Sequence, residues 1–565
     1  SAPDQASKPK PAIFETTVMH TVPQPATGRN EQPPQNSQAG APAAAQSMPQ
    51  SRPAPITNTL PSPHATVGHT GLRGERLDLL NSMVLQSELP ALKAAFDTAI
   101  MGEQIQAVLF GKARPHYAVE RCVVDQATYL PGEGVAIRYE VVVRDRRSQA
   151  TIEPLVVAML FPNQLACALY MRDKLAPLVE LTRGRPDLAP FATPAAMVEP
   201  LNMVVHVFPI DGELPALVPA TDPGRMRDLF NETLPAALGK SLEVEKCDVE
   251  LVDYARRYRA VLRYRIEGRR TGSNRIEQQV VYGKVFTSNI GALAGPVTAA
   301  LRERAMNGDS AFRFNVPRSL SWRPDMQLSL LEAIPGKPLI SDLLKARLRG
   351  HATEPELLSL RQMIDACARI AAQIHSSDIQ LGRRRTLDDE LAMLRKNVSD
   401  MRRLSPDLGV QMENWLDQLS VYAEQSDALR LGFCHGDYTY TQVVFEGQQA
   451  GLVDFDSVCQ AEAALDIGHF LAYLRIAGYK AQKLADGAPN TLVEELSERF
   501  LTNYLGAMGD RIEDVERLRV RVAIYQMISL LRRALRSWQK FKGSRLENAL
   551  ALIEEEMACL PQLDY

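Results

Sequence analysis

The sequence predicts an α+β chain, with small antiparallel sheets in its first half and a mainly helical second half. Three observations carry that reading. Apolar runs rich in β-branched residues alternate with turns between residues 119 and 286. The strand pattern occurs twice at nearly one spacing. Beyond residue 339, apolar residues recur with the helical period of about 3.6.

Bulk properties narrow the classes. With 565 residues, 45% of them hydrophobic, the chain is long enough for about two to four domains with cores of their own. A net charge of −3 gives no global field for nucleic acid. Seven cysteines stand singly, without a Cys-x-x-Cys spacing. They read as reduced thiols of a cytoplasmic protein, not as disulfides or a zinc site. No apolar run is long enough to cross a bilayer, and the first residues lack a secretory pattern. The expectation is a cytoplasmic protein without membrane or nucleic-acid partners. Nothing in the sequence sets its oligomeric state.

Taken in order, residues 1–74 are rich in Pro, Ala, Gln, Ser and Thr, and read as a disordered tail that cannot offset its ordering entropy. Helical runs at 77–85 and 92–100 open the folded part. Strands follow near 119–123, 135–143, 155–161 and 203–208, with a helix over 165–181 before the last. The next region repeats this. Cys122 matches Cys247, and Ala136-Ile137-Arg138-Tyr139 matches Val261-Leu262-Arg263-Tyr264, both 125 residues on. Val156-Val157 matches Val280-Val281, and Gly212 matches Gly336, at 124. The inferred boundaries are 75–222 for one copy, 223–336 for the other and 337–565 for a helical region.

The copies differ where chemistry would sit. Lys284 falls inside the apolar strand Val281 to Phe286, where a charge is costly unless paired. Met159 stands at the register nearest to it in the first copy, and methionine packs but holds no phosphate. The tip between the first two strands of the second copy has no glycine but carries Arg256, Arg257 and Arg259. These read as phosphate contacts or as a solvated basic tip.

The helical region contains the segment on which function turns. His435-Gly436-Asp437 is followed five positions on by Gln442 and, twelve further, by Asp454. Two apolar runs around Glu446-Gly447-Gln448 predict a β-hairpin that returns Gln442 and Asp454 to one end, with Asp437 on the loop before it. A carboxylate to take a proton from a hydroxyl, and an amide oxygen plus a second carboxylate to hold a metal, are the groups that phosphoryl transfer requires.

This spacing resembles the aminoglycoside phosphotransferase and choline kinase family, and Asp466-Ile467-Gly468 is similar to the segment that braces the catalytic loop there. One departure is Gln442, where the family usually has Asn. The resemblance implies a protein-kinase-like bilobal fold. Residues 223–336 become the ATP-binding lobe, 75–222 a degenerate copy of it, and 337–565 the catalytic and substrate-binding lobe. It further implies ATP and Mg²⁺ as cofactors and a small-molecule hydroxyl, such as a sugar or aminoglycoside-like compound, as acceptor. Asp437 is then the catalytic base and His435 supports its loop. Gln442, Asp454 and Asp456 are the metal ligands. Lys284, fixed by Glu303 on the helix over 293–305, grips the phosphates. The hinge over 331–336 presents the backbone of Glu332 and Ile334 to the adenine. The alternative class is a pseudokinase that binds nucleotide or acts as a scaffold without turnover.

Two further readings concern the helical region. His375, ending a periodic helix, is assigned a structural hydrogen bond. The run Arg532, Arg533, Arg536, Lys540, Lys542 and Arg545 reads as an anion-binding surface or, more simply, as a solvated helix face.

Overall fold

The computed structural model describes residues 79–238, 242–255, 258–270, 275–307, 312–484 and 491–559. The reading of 1–74 as a tail, and those of Arg256 and Arg257, lie outside these residues.

Two antiparallel sheets form first. The first runs through β1 (Tyr117–Leu130), β2 (Gly134–Asp145), β3 (Leu155–Leu160), β4 (Ala195–Val198) and β5 (Met203–Val207), with the short strand Thr151–Ile152 paired beside β2. The second comprises β6 (Leu242–Ala255), β7 (Arg259–Arg270), β8 (Ile276–Phe286), β9 (Ser319–Arg323) and β10 (Leu328–Glu332). Strand order is β1-β2-β3-β5-β4 in one and β6-β7-β8-β10-β9 in the other.

Individual bonds recur with the same spacing. The Tyr139 hydroxyl donates to the Ala95 carbonyl at 2.7 Å, and the Tyr264 hydroxyl to the Ala220 carbonyl at 2.8 Å. Asp97 caps helix α1 (Thr98–Ile105), and Asp222 accepts from the Arg225 N–H in the first turn of α2 (Pro223–Leu238). Gln106 accepts from the Val119 N–H at 2.7 Å, and Asn231 from the Val244 N–H at 2.6 Å. Each pair is separated by 125 residues, as in Tyr139 and Tyr264.

The strand register corrects the offset of 124 read for the later elements. Tyr139 faces Val156 and Tyr264 faces Val281, so Val156 corresponds to Val281 and not to Val280. Ala136 faces Met159 as Val261 faces Lys284, which puts Met159 at the lysine position. Pairing across the ladder keeps both sheets in one register, whereas repeated valines in a string of letters allow a slip of one.

The helical lobe holds α4 (Glu354–His375), α5 (Leu387–Leu404), α6 (Pro406–Glu424), α7 (Ala464–Leu484), α8 (Thr491–Met508), α9 (Val515–Gln539) and α10 (Gly543–Cys559). Thr353 and Thr386 open α4 and α5 with capping boxes. The sequence reading missed α2, with Pro235 inside it, and α10. A small sheet pairs β11 (Leu431–Cys434) with β14 (Cys459–Glu462), and β12 (Val443–Glu446) pairs with β13 (Gln449–Leu452) as the expected hairpin. No described helix is long and apolar enough to cross a membrane.

The first sheet shares an apolar core with the helical lobe. Tyr129 packs edge-on against Trp538, with ring centroids 6.0 Å apart, and Phe96 meets Phe541 at 5.1 Å. Arg403 donates to the Tyr129 hydroxyl at 2.8 Å. The second sheet has its own core with α2. It joins the helical lobe through backbone bridges, Lys337 to Phe445 and Asn315 to Ala450 and Leu452, and through the ion cluster described next.

Candidate active site

Local backbone geometry aims the carboxylates. Gly436 adopts φ +81°, and a Cβ there would lie 1.9 Å from the Ser457 carbonyl oxygen, so the loop closes only on glycine. Asp454 adopts φ +72°, a left-handed conformation that costs a non-glycine residue about 1 kcal/mol or more. Such a conformation persists only where surrounding contacts hold it.

Those contacts are ionic. The Lys284 Nζ reaches Asp454 Oδ1 at 2.5 Å and both Asp456 oxygens at 2.9 and 3.0 Å. Arg259, at the start of β7, donates to Asp454 Oδ1 at 3.0 Å and also to Asp456. Lys284, Arg259 and Asp454 are buried. Burial works to raise the Asp454 carboxyl, but Arg259 and Lys284 outweigh it and hold it well below the usual carboxylate range. Asp456 is shifted upward, by burial and by Asp454 beside it. The strand cation expected at Lys284 therefore meets the two expected acids, and Arg259 joins them.

Glu303 does not join them. It is exposed on α3 (Ala294–Asn307), while Val297, Thr298 and Leu301 form the buried face of that helix. Two residues past Leu301 is about 200° around a helix, which turns Glu303 outward. Lys284 takes Asp454 and Asp456 as its acids instead.

Asp437 is buried and held on both sides. His469 Nε2 lies 3.0 Å from its Oδ1, and Gln442 Nε2 donates to its Oδ2 at 3.3 Å. His469 Nδ1 contacts Ser529 Oγ at 3.0 Å, which ties α7 to α9. The Gln442 amide oxygen accepts from the Thr441 hydroxyl at 3.2 Å, so here Gln442 tethers Asp437.

Asp466 braces the loop. It accepts the N–H groups of His435 and Gly436 at 2.7 and 2.8 Å. His375 Nε2 lies 3.1 Å from the same carboxylate, and its Nδ1 is 2.9 Å from the Tyr504 hydroxyl. Burial works to raise the Asp466 carboxyl, but these bonds and the neighbouring histidines lower it overall. His435 Nε2 lies 3.1 Å from the Val453 carbonyl oxygen, linking the loop to the strand before Asp454. Arg385 donates to the Gly436 carbonyl at 3.2 Å.

Glu332 and Ile334 lie on the crossing between the second sheet and the helical lobe. Glu332 pairs with Arg318 at 3.1 Å, and Ile334 packs over Gly451, where any Cβ would come within 2.7 Å of it. The run on α9 also differs from a solvated face, since Arg532, Arg533 and Arg536 are buried. The neighbouring helix α5 and strand β1 cover what periodicity alone left open.

Sequence reading missed His469, Ser529 and Arg385. His469 and Ser529 had a signal: each is a polar residue inside an apolar stretch of a buried helix.

Residues 298–519 match the family model APH, described as the phosphotransferase enzyme family. This stretch contains Asp437, Gln442, Asp454, Asp456 and Asp466, and the match supports a phosphotransferase enzyme. The family is the one that the aminoglycoside phosphotransferase resemblance named. Solved structures similar to the chain include a glucosamine kinase, at 16% identity over 78% of this chain and 92% of that one, TM-score 0.39. A choline kinase from Cryptosporidium parvum aligns at 13% over 59% and 94%, TM-score 0.38. An ethanolamine kinase from Plasmodium vivax aligns at 14% over 56% and 82%, TM-score 0.37. At these TM-scores the overlays carry no argument. No curated protein matches significantly.

Proposed function

We propose that the chain transfers the γ-phosphoryl group of ATP to a hydroxyl of a small molecule, with Mg²⁺ at Asp454 and Asp456. The observation that carries this reading is the meeting of Lys284, from the second sheet, with Asp454 and Asp456, from the helical lobe. Two adjacent carboxylates are hard oxygen donors that suit Mg²⁺, and they already converge on positive charge. Bound there, the metal and triphosphate would supply the transferable group and neutralise its charge.

The residues then have separate tasks. Lys284 and Arg259 present cations to phosphate oxygens. Asp437 orients the acceptor hydroxyl and takes its proton while the new P–O bond forms and the β–γ bond breaks, releasing ADP. His469 and Gln442 hold that carboxylate in place. Asp466 fixes the loop through His435 and Gly436. Residues 75–222, with Met159 at the lysine position, are proposed to be a degenerate copy without nucleotide chemistry, firmly docked on the helical lobe.

One observation favours the second reading, a pseudokinase. Arg259 and Lys284 together neutralise both carboxylates, and Gln442 is turned to Asp437. Thermal denaturation with and without Mg-ATP separates the two, followed by ATP consumption across sugars and amino alcohols. The enzyme reading expects Mg²⁺-dependent stabilisation in the wild type, its loss in Asp454→Ala, and acceptor-dependent ADP release. Absence of Mg²⁺-dependent stabilisation in the wild type would sink it.

A further inference from the structure

Three charged residues share one face of the second sheet. Across the ladder, Ala255 pairs with Arg259, Asp253 with Val261, and Val261 with Lys284. Paired residues, and alternate residues along a strand, point to the same side, so Asp253, Arg259 and Lys284 lie together on it. Asp253 is the diagonal neighbour of Arg259, at about 7–8 Å and within reach of a long side chain. In the first sheet, Leu130 pairs with Gly134, Thr128 with Ala136, and Ala136 with Met159. Register therefore puts Thr128, Gly134 and Met159 at the three positions. The charges are present together in the sheet that meets Asp454 and Asp456, and absent together from the other.

Two of these residues keep a group unused. Asp253 Oδ2 and Arg259 Nε are buried, and neither atom has a hydrogen-bond partner among the described residues. An unpaired acceptor and an unpaired donor are each costly, and these two are complementary. Burial pushes the Asp253 carboxyl up to about 6, against the pull of Arg259, Arg138 and Lys540. Arg138 is engaged by Asp125.

The other end of Arg259 is spent on the proposed metal ligands. Its Nη1 donates to Asp454 Oδ1 and Asp456 Oδ2, and Lys284 holds the same two oxygens. A divalent cation at those oxygens requires one of the two side chains to withdraw, because like charges in contact repel. Glu303, the acid expected beside Lys284, is exposed on α3. Asp253 stands beside Arg259.

We propose that Arg259 exchanges between two carboxylate seats, and that Asp253 is the second. Without nucleotide, the guanidinium occupies Asp454 and Asp456. As Mg²⁺ and the triphosphate bind, its Nε turns to Asp253 and its terminal N–H groups turn to phosphate oxygens, which frees both acids for the metal. The five donors of a guanidinium form a fork that can serve a carboxylate on one edge and a phosphate on the other. Asp253 is thus a positioning residue that acts through Arg259. This rests on the phosphotransferase reading above, and it accounts for the neutralised carboxylates that otherwise favour a pseudokinase.

The test titrates the full chain with Mg²⁺ at fixed AMP-PNP, with Tm as readout. Asp253→Asn is expected to raise the Mg²⁺ concentration for half-maximal stabilisation about 10-fold, since Arg259 then stays on Asp454 and Asp456. In an Arg259→Met background the same substitution is expected to move the half-point no further. A purely structural Asp253 would lower Tm and leave the Mg²⁺ requirement alone. A structure of the wild type with Mg-AMP-PNP needs no variant to fold, and is expected to show Arg259 on Asp253 and off both metal ligands. An unchanged half-point in Asp253→Asn, an equal shift with and without Arg259, or Arg259 still on Asp454 beside bound metal would overturn the proposal and leave the phosphotransferase reading standing. Absence of any Mg²⁺-dependent shift in the wild type would remove both.

Discussion

Lys284 and Asp454 come together at 2.5 Å across 170 residues of chain, one on an apolar strand and the other in a left-handed backbone conformation. The pair is buried, and Arg259 and Asp456 complete it as a cluster of two cations and two carboxylates. Breaking a buried pair from one side leaves an uncompensated charge, which costs about 3–5 kcal/mol. Lys284→Met is expected to lower Tm by several degrees and to abolish stabilisation by Mg-ATP. Thermal scans with and without nucleotide check both.

In the proposed function Asp437 takes the acceptor's proton. Asp437→Asn keeps the shape and the bond from Gln442 but removes the base. ATP consumption in the presence of acceptor is expected to fall about 10²- to 10⁴-fold, with the Mg-ATP thermal shift unchanged. Steady-state assay beside a thermal scan distinguishes this from misfolding.

In the proposed function His469 positions Asp437. It spans Asp437 and Ser529, at 3.0 Å to each. His469→Leu is expected to lower kcat about 10- to 10²-fold through misplacement of Asp437, with little change in the KM for ATP. A role in packing alone would change Tm and leave kcat unaltered.

Asp466 supplies a pH dependence. Its folded carboxyl is held below the usual value, so the folded chain binds that proton more weakly than the unfolded chain. The stabilisation is therefore fully present above about pH 4 and is lost as pH falls toward the lower folded value. Asp466→Asn is expected to cost about 2–3 kcal/mol at neutral pH and to flatten the acid limb of a plot of Tm against pH. An unchanged acid limb would contradict this.

The paired tyrosines test the correspondence of the two sheets. Tyr139 and Tyr264 each donate to a carbonyl 44 residues upstream. Tyr139→Phe and Tyr264→Phe each leave a buried carbonyl without that donor, at about 1–3 kcal/mol. Equal costs in urea denaturation are expected if the two sheets are built alike. Only Tyr264→Phe, whose ring packs against Gly283 beside Lys284, is expected to weaken the nucleotide shift.

Sequence alone was enough for whatever depends on residues close in the chain. The β12–β13 hairpin, the loop of His435 to Asp437, the lysine inside an apolar strand and the recurrence of strands all follow from spacing and periodicity. Tertiary packing decided the rest. Lys284 found Asp456 rather than Glu303, because the phase of α3 turns Glu303 to solvent. Arg532, Arg533 and Arg536 became interior residues, because α5 and β1 cover a helix face that its own period leaves unassigned. His469 and Ser529 meet across 60 residues. The physical reason is common to all three. Periodicity states which face a residue shares with its neighbours, whereas charge pairing and burial depend on which distant element comes to lie against that face.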